Sequence, residues 1–173
     1  MFRTFILAGA LALAPVAAAS AQDAGPTDAQ IAHIAYTAGQ LDVDAARQAL
    51  EKTTNPEVRA FAELMARDHA AVNAQAVALV TRLHVTPEAN PTSTALTEAA
   101  AATHDRLQAL DGAAFDAAYV ANEVAFHQTV NTALSGTLIP DADNPELKAL
   151  LETGLTLFQS HQVHAEHLAQ SLQ

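Results

Sequence analysis

Residues 55–84 read NPEVRAFAELMARDHAAVNAQAVALVTRLH, and this stretch decides the fold class. Asn55 is a good N-cap, Pro56 suits the first helical position, and Glu57 complements the positive end of the helix dipole. Apolar side chains then recur at helical spacing, at Val58, Phe61, Met65, Val72, Leu79 and Leu83. The stretch therefore predicts one long amphipathic helix that buries a single face.

Three more long segments and one shorter segment carry the same periodicity. Long helices are predicted over residues 28–52, 113–138 and 145–172, and a shorter one over residues 94–110. Pro140 is predicted to end the third long helix, because proline cannot continue the backbone hydrogen bonding. Since short loops join the long helices, we predict an all-α protein, an antiparallel four-helix bundle with a shorter extra helix in the crossover.

Composition restricts the function classes. The 173 residues include eight Lys plus Arg against nineteen Asp plus Glu, for a formal net charge of -11. This charge argues against nucleic-acid binding, which needs a basic face to neutralise phosphates. The absence of Cys excludes disulfides, thiolate metal sites and Cys nucleophiles.

The amino-terminal residues have the pattern of an export signal. Arg3 precedes an apolar run over residues 5–16, and Ala-Ser-Ala over residues 19–21 matches a signal-peptidase site. The run is shorter than the ~20 residues that span a bilayer. We therefore predict a cleaved secretory signal over residues 1–21 and one domain over residues 22–173. The mature chain is expected to be periplasmic or secreted, without membrane insertion.

Ionisable side chains lie on or beside the apolar stripes of the four long helices. A helix advances ~100° per residue, which puts Glu123 and His127 inside one stripe and His161 near the centre of another. Asp42 lies at the border of the first stripe. The candidate site residues are Asp42, Asp68, His69, Glu123, His127 and His161.

These residues predict a metal site. Burying a carboxylate or an imidazole is costly unless it is paired, hydrogen-bonded or metal-bound. Carboxylates and imidazoles that project inward from different helices are how bundles build metal centres. The donor types suit one transition-metal ion, Zn, Cu, Fe or Mn. The alternative is a metal-free hydrogen-bonded network that sets the helix register.

Three segments carry the pattern of a known bacterial family. FAELMARDH over residues 61–69 resembles the F-A-x-x-M-x-x-D-H segment of the bacterial domain-of-unknown-function family 4142. FDAAYV over residues 115–120, with His127 beyond it, is similar to that family's F-D-x-x-Y segment and following His. Residues 155–161 resemble its last-helix segment, which ends in His.

The resemblance extends from about residue 28 to residue 172 and implies an exported protein with a ferritin-like helical bundle. It implies no established activity. The chain departs from the family at Phe158, where the usual Thr-Leu-Pro becomes Thr-Leu-Phe, and at Asp42, where the family usually carries Glu.

The spacing does not match a di-iron centre. Di-iron bundles use Glu from two helices and Glu-x-x-His from the other two. Here Glu123 and His127 are four residues apart, and no Glu stands three residues before His161. A mononuclear site, or a metal-free relic of one, fits the sequence better.

Three functions therefore stay open. The first is an exported protein that binds a transition metal. The second is a metal-free structural or stress-related interaction protein of the cell envelope. The third is a metal-dependent oxidoreductase acting on peroxide or metal ions. Because the chain lacks a Gly-rich phosphate loop, a G-x-S-x-G elbow and H-E-x-x-H, the sequence favours a binding protein over an enzyme.

Overall fold

The computed structural model describes residues 25–173, which form helices and turns without any strand. The all-α prediction is thus confirmed for these residues, and the predicted signal peptide, residues 1–21, lies outside them. The helices are α1 (Asp28–Lys52), α2 (Pro56–Arg82), α3 (Pro91–Gln108), α4 (Gly112–Ala133), α5 (Ile139–Asp141) and α6 (Pro145–Ser171). Within the described range, no helix is both long and apolar enough to cross a membrane.

Three of the helices begin at an Asn-Pro pair. The side chains of Asn55, Asn90 and Asn144 cap α2, α3 and α6, each accepting at least one hydrogen bond from a backbone N–H of the first turn. The predicted start of the shorter helix at residue 94 was therefore wrong. The cap at Asn90 begins α3 at Pro91, three residues earlier, by the same local chemistry that begins α2 and α6.

The prediction that Pro140 ends the third long helix was also wrong. A π-helical turn, Leu134–Leu138, continues α4 directly into the single turn of α5. The Ile139 N–H donates to the Leu134 carbonyl across this wider turn. Pro140 lies in the first turn of α5 and has no N–H to donate to the preceding turn, which the wider π-helical turn accommodates.

The four long helices share two apolar clusters. The first cluster includes Ala46, Phe61, Tyr119 and Leu168. The second includes Ile31, Leu79, Leu134 and Leu151. Along the chain, α1 and α6 pass from the second cluster to the first, whereas α2 and α4 pass from the first to the second. Helices α1 and α2 therefore run in opposite directions, as do α4 and α6, and the segment containing α3 returns the chain between α2 and α4.

Helix α3 packs mainly against α1, and only Ser93 and Leu107 of this helix are buried. Two side chains of α1 hold its end, because Gln48 donates to the His104 carbonyl and Lys52 donates to the Gln108 carbonyl. The α3 segment is thus an outer layer on the α1 side of the molecule.

Candidate metal centre

Five polar side chains meet in the layer between the two apolar clusters. Asp42 comes from α1, His69 from α2, Glu123 and His127 from α4, and His161 from α6. Each side chain is 3% exposed or less. On each of the four helices, these polar residues lie between the buried residues that belong to one cluster and those that belong to the other. The layer is therefore enclosed by apolar packing at both ends.

Three histidines form the middle of this layer. The Nε2 atoms of His69 and His127 are 3.4 Å apart. The ring centroids of His69, His127 and His161 form an almost equilateral triangle with sides of 5.4, 5.4 and 5.6 Å. One ring nitrogen from each of the three lies within 4.8 Å of the others. We call these residues the histidine triad of the site.

Asp42 closes the triad on the α1 side. Its Oδ2 atom lies 3.6 Å from His69 Nε2 and 3.7 Å from His127 Nε2. Neither carboxylate oxygen of Asp42 has a hydrogen-bond partner among the described residues. The sequence placed Asp42 only at the border of the inward face, whereas the structure buries it fully at the centre.

Hydrogen bonding and stacking orient two of the histidines. His127 Nδ1 lies 3.0 Å from the backbone oxygen of Glu123, one turn earlier on α4. Because only a protonated nitrogen can donate to that oxygen, the lone pair of a neutral His127 ring is on Nε2, which faces the triad. The ring of His69 stacks on Phe158, with centroids 4.4 Å apart and planes 4° from parallel.

Asp68 lies behind His161. Its Oδ2 atom is 3.2 Å from His161 Nε2, and its Oδ1 atom accepts from Arg67 Nε at 2.8 Å. The Asp68 side chain is 18% exposed and belongs to neither of the two groups of donor atoms that meet within 4.8 Å. With Nε2–H donating to Asp68, His161 keeps its lone pair on Nδ1, which has no partner within the described residues.

The electrostatics keep the triad neutral. Burial lowers the pKa of His69 to about 2 and that of His127 to about 4, and it also lowers the pKa of His161. Neutral imidazole is the form that ligates a metal ion, so these side chains need no deprotonation before binding.

The two carboxyl groups show the opposite shift. Burial raises the pKa of Asp42 to about 7, even though the contact with the Glu123 side chain offsets part of the rise. Burial and the neighbouring Asp42 carboxylate together raise the pKa of Glu123 well above its ordinary value. A divalent cation between these groups would relieve both effects, because it compensates the buried negative charge.

A second group of donors adjoins the triad. Atoms of Asp42, Glu123 and His127 lie within 4.8 Å of one another, and Glu123 Oε2 is 3.6 Å from His127 Nδ1. Tyr119, one turn before Glu123, buries its hydroxyl without a hydrogen-bond partner in the described chain. Tyr119 was not among the candidate site residues predicted from the sequence. Its position four residues before Glu123 was the available signal that the hydroxyl lies near the site.

The family model described as Domain of unknown function (DUF4142) matches residues 13–168. The chain belongs to this family. Among curated proteins, no significant match to this DUF4142 chain is found.

Two solved structures resemble the DUF4142 chain in fold. A DUF305 protein from Streptomyces coelicolor, whose description calls it secreted, superposes with a TM-score of 0.72 at 16% identity, over 84% of this chain and 93% of that one. CopM in the Cu(II)-bound form superposes with a TM-score of 0.67 at 16% identity, over 86% of this chain and 99% of that one. At such low identity the likeness concerns the fold alone.

Proposed function

We propose that this DUF4142 protein is an exported protein that binds one transition-metal ion. The ligands are Nε2 of His69, Nε2 of His127, a ring nitrogen of His161 and the carboxylate of Asp42. Asp68 orients His161 from behind, and the backbone carbonyl of Glu123 orients His127. Metal-ligating histidines regularly donate their other ring N–H to such acceptors.

The donor spacing carries this proposal. Metal–nitrogen and metal–oxygen bonds of about 2.0–2.1 Å in a tetrahedral site place neighbouring donors about 3.4 Å apart. The distances among His69 Nε2, His127 Nε2 and Asp42 Oδ2 are 3.4, 3.6 and 3.7 Å. One face of a tetrahedral site is thus nearly formed, and His161 is adjacent to supply the fourth ligand.

Unpartnered buried atoms support the same proposal. Native proteins leave few buried polar groups without a hydrogen bond, because each costs about 1–3 kcal/mol. Among the described residues, both oxygens of Asp42 and Nδ1 of His161 lack partners, and these atoms belong to the proposed ligands. A cation at the centre would compensate the Asp42 oxygens directly.

Copper and zinc are the first ions to test. A site of three imidazoles and one carboxylate suits Zn, Cu and Fe, and among divalent ions copper generally binds nitrogen donors most tightly. The fold likeness to CopM, which was solved with Cu(II), makes Cu(II) the natural first probe. Iron and manganese remain in the set to be tested.

We also propose that the fold is a ferritin-like four-helix bundle. The helix directions support this, because a long crossover containing α3 joins two helices that run the same way, as in ferritin-like folds. We further propose that residues 1–21 are a cleaved signal peptide and that residues 22–173 form one exported domain. The likeness to a DUF305 protein described as secreted is compatible with export.

Elemental analysis tests the proposal. The protein is purified from the exported fraction without a chelator or a metal-affinity tag, and its metal content is measured beside that of His127→Ala and His167→Ala. His167 is an exposed histidine of α6, so its variant controls for adventitious surface binding. We expect near-stoichiometric metal in the wild type and in His167→Ala, and its loss in His127→Ala. Equal content in all three, or none in any, would contradict the proposal.

The metal-free interaction protein is the second candidate. The 3.4 Å contact between His69 and His127 and the contact of His161 with Asp68 favour it, since these are hydrogen bonds that need no ion. Under that function, neither metal nor chelator would change the melting temperature.

A further inference from the structure

The buried triad needs an entry route. His69, His127 and His161 are each 3% exposed or less, so an ion cannot reach them directly from solvent. Two cavities adjoin the site. One has a volume of about 150 Å³ and reaches His69. The other has a volume of about 420 Å³ and lies between α1, α3 and α4, and we call it the α3 groove.

The two cavities differ in what they offer a cation. The smaller cavity is lined mainly by Ala, Ile, Leu, Val and Phe side chains, and no carboxylate of the described residues lines it. A cation there would lose hydration without compensation, which is strongly unfavourable. The α3 groove is also largely apolar, but Asp42 and Glu123 line its inner side. Both are 1% exposed, and Asp42 Oδ1, Asp42 Oδ2 and Glu123 Oε2 have no partner among the described residues.

Asp42 connects the groove to the triad. The same carboxylate that lines the α3 groove has its Oδ2 atom 3.6–3.7 Å from the Nε2 atoms of His69 and His127. Glu123 lies on the neighbouring helix, within 4.8 Å of Asp42 when the closest donor atoms are taken. The order from solvent inward is therefore groove, carboxylate pair, histidines.

We propose that Asp42 and Glu123 form an outer carboxylate site, which takes a partly hydrated divalent cation from the α3 groove and passes it to the histidine triad. The inference rests on the proposed metal-binding function and adds its route and order of ligands. Hard carboxylate oxygens accept a hydrated ion readily, and the imidazoles then replace its remaining waters. Two carboxyl groups at the inner end of a largely apolar groove also supply the oxygen ligands that the rest of the groove lacks.

Stopped-flow mixing of metal-free protein with Cu(II) tests this order, with absorbance or quenching of tyrosine fluorescence as the signal. Two variants probe the route. Glu123→Gln removes a capture carboxylate, and Ala100→Phe fills the α3 groove. Ala76→Phe is the matched control, because Ala76 is a half-buried helical alanine that lines the smaller cavity. Circular dichroism establishes that each variant is folded.

We expect the association rate to fall about tenfold or more in Glu123→Gln and Ala100→Phe, and to stay at the wild-type value in Ala76→Phe. Wild-type association in both test variants would overturn the route while leaving the proposed function intact. Slowing by Ala76→Phe alone would move the route to the smaller cavity. Faster release with unchanged association in Glu123→Gln would make Glu123 a ligand of the inner site only. Absence of Cu(II) binding in the wild type would refute the function and the route together.

Discussion

His69 and His127 lie on different helices, yet their Nε2 atoms face each other at 3.4 Å. The distance equals a tetrahedral ligand–ligand edge for bonds of about 2.0–2.1 Å. In the metal-free protein, one ring can donate a hydrogen bond to the other. With an ion between them, both present a lone pair. The same pair of residues could therefore accommodate the proposed ion with little movement of the helices.

Metal addition is expected to stabilise the native state. At a free metal concentration of about 100 times Kd, binding contributes about 2.7 kcal/mol. For a domain of this size, that corresponds to a rise of roughly 5–10 °C in Tm. Differential scanning calorimetry with and without Cu(II) or Zn(II) measures it. His69→Ala should abolish the shift and the surface variant His167→Ala should retain it, and a shift that persists in His69→Ala would rule out this centre.

Asp42→Asn should weaken metal binding but stabilise the metal-free protein at alkaline pH. Burial raises the pKa of Asp42 to about 7 in the folded state, against about 3.9 when unfolded. The folded state therefore holds a proton that the unfolded state has released between about pH 4 and pH 7. The free energy of unfolding thus falls as pH rises through this window, and the loss is complete above it.

Urea unfolding of metal-free protein at pH 5 and pH 8 checks this sign. We expect the free energy of unfolding of Asp42→Asn to exceed that of the wild type by on the order of 2–4 kcal/mol at pH 8. At pH 5 the difference should be much smaller. Asp44→Asn is the control, because Asp44 is exposed on the same helix. If Asp42→Asn were less stable than the wild type at pH 8, the buried carboxylate would not destabilise the metal-free protein.

Asp68→Asn tests the orientation of His161. The amide cannot replace the carboxylate as a strong acceptor for His161 Nε2, so the ring loses its fixed tautomer. Loss of such an outer partner typically lowers metal affinity about 10–100-fold. Titration of Cu(II) against a competing chelator measures the affinity, and Glu63→Gln supplies an exposed carboxylate control on α2. Unchanged affinity in Asp68→Asn would mean that His161 is outside the ligand set.

Phe158 supports His69 by stacking, and its truncation should separate packing from ligation. Phe158→Ala is expected to destabilise the fold by about 3 kcal/mol, because a large buried side chain leaves a cavity. Phe158→Leu preserves most of the volume and should cost less than about 1.5 kcal/mol. Weaker metal binding in the well-folded Leu variant would show that the flat ring holds His69 in place. If Phe158→Leu bound metal with wild-type affinity, Phe158 would contribute packing only.

Local signals were sufficient for most helix boundaries. Residues 28–52 were predicted as a helix and α1 has these bounds, because capping and apolar periodicity act within a few residues. The same reasoning missed the cap at Asn90, although Asn90-Pro91 repeats the signal at Asn55-Pro56. It also missed the π-helical turn before Pro140, in which Leu134 and Leu138 are buried in the second cluster.

The sequence by itself determined the all-helical class and the polar side chains that interrupt the apolar stripes. Helical periodicity assigns each residue to a face of its own helix, and a buried charge on that face marks a candidate site. Only the tertiary structure decided which of these side chains meet. It brought Asp42 beside His69 and His127 and left Asp68 behind His161, because such distances depend on the axial register and rotation of four separate helices. A shift of one residue moves a side chain by about 1.5 Å and 100°, which is enough to separate metal ligands.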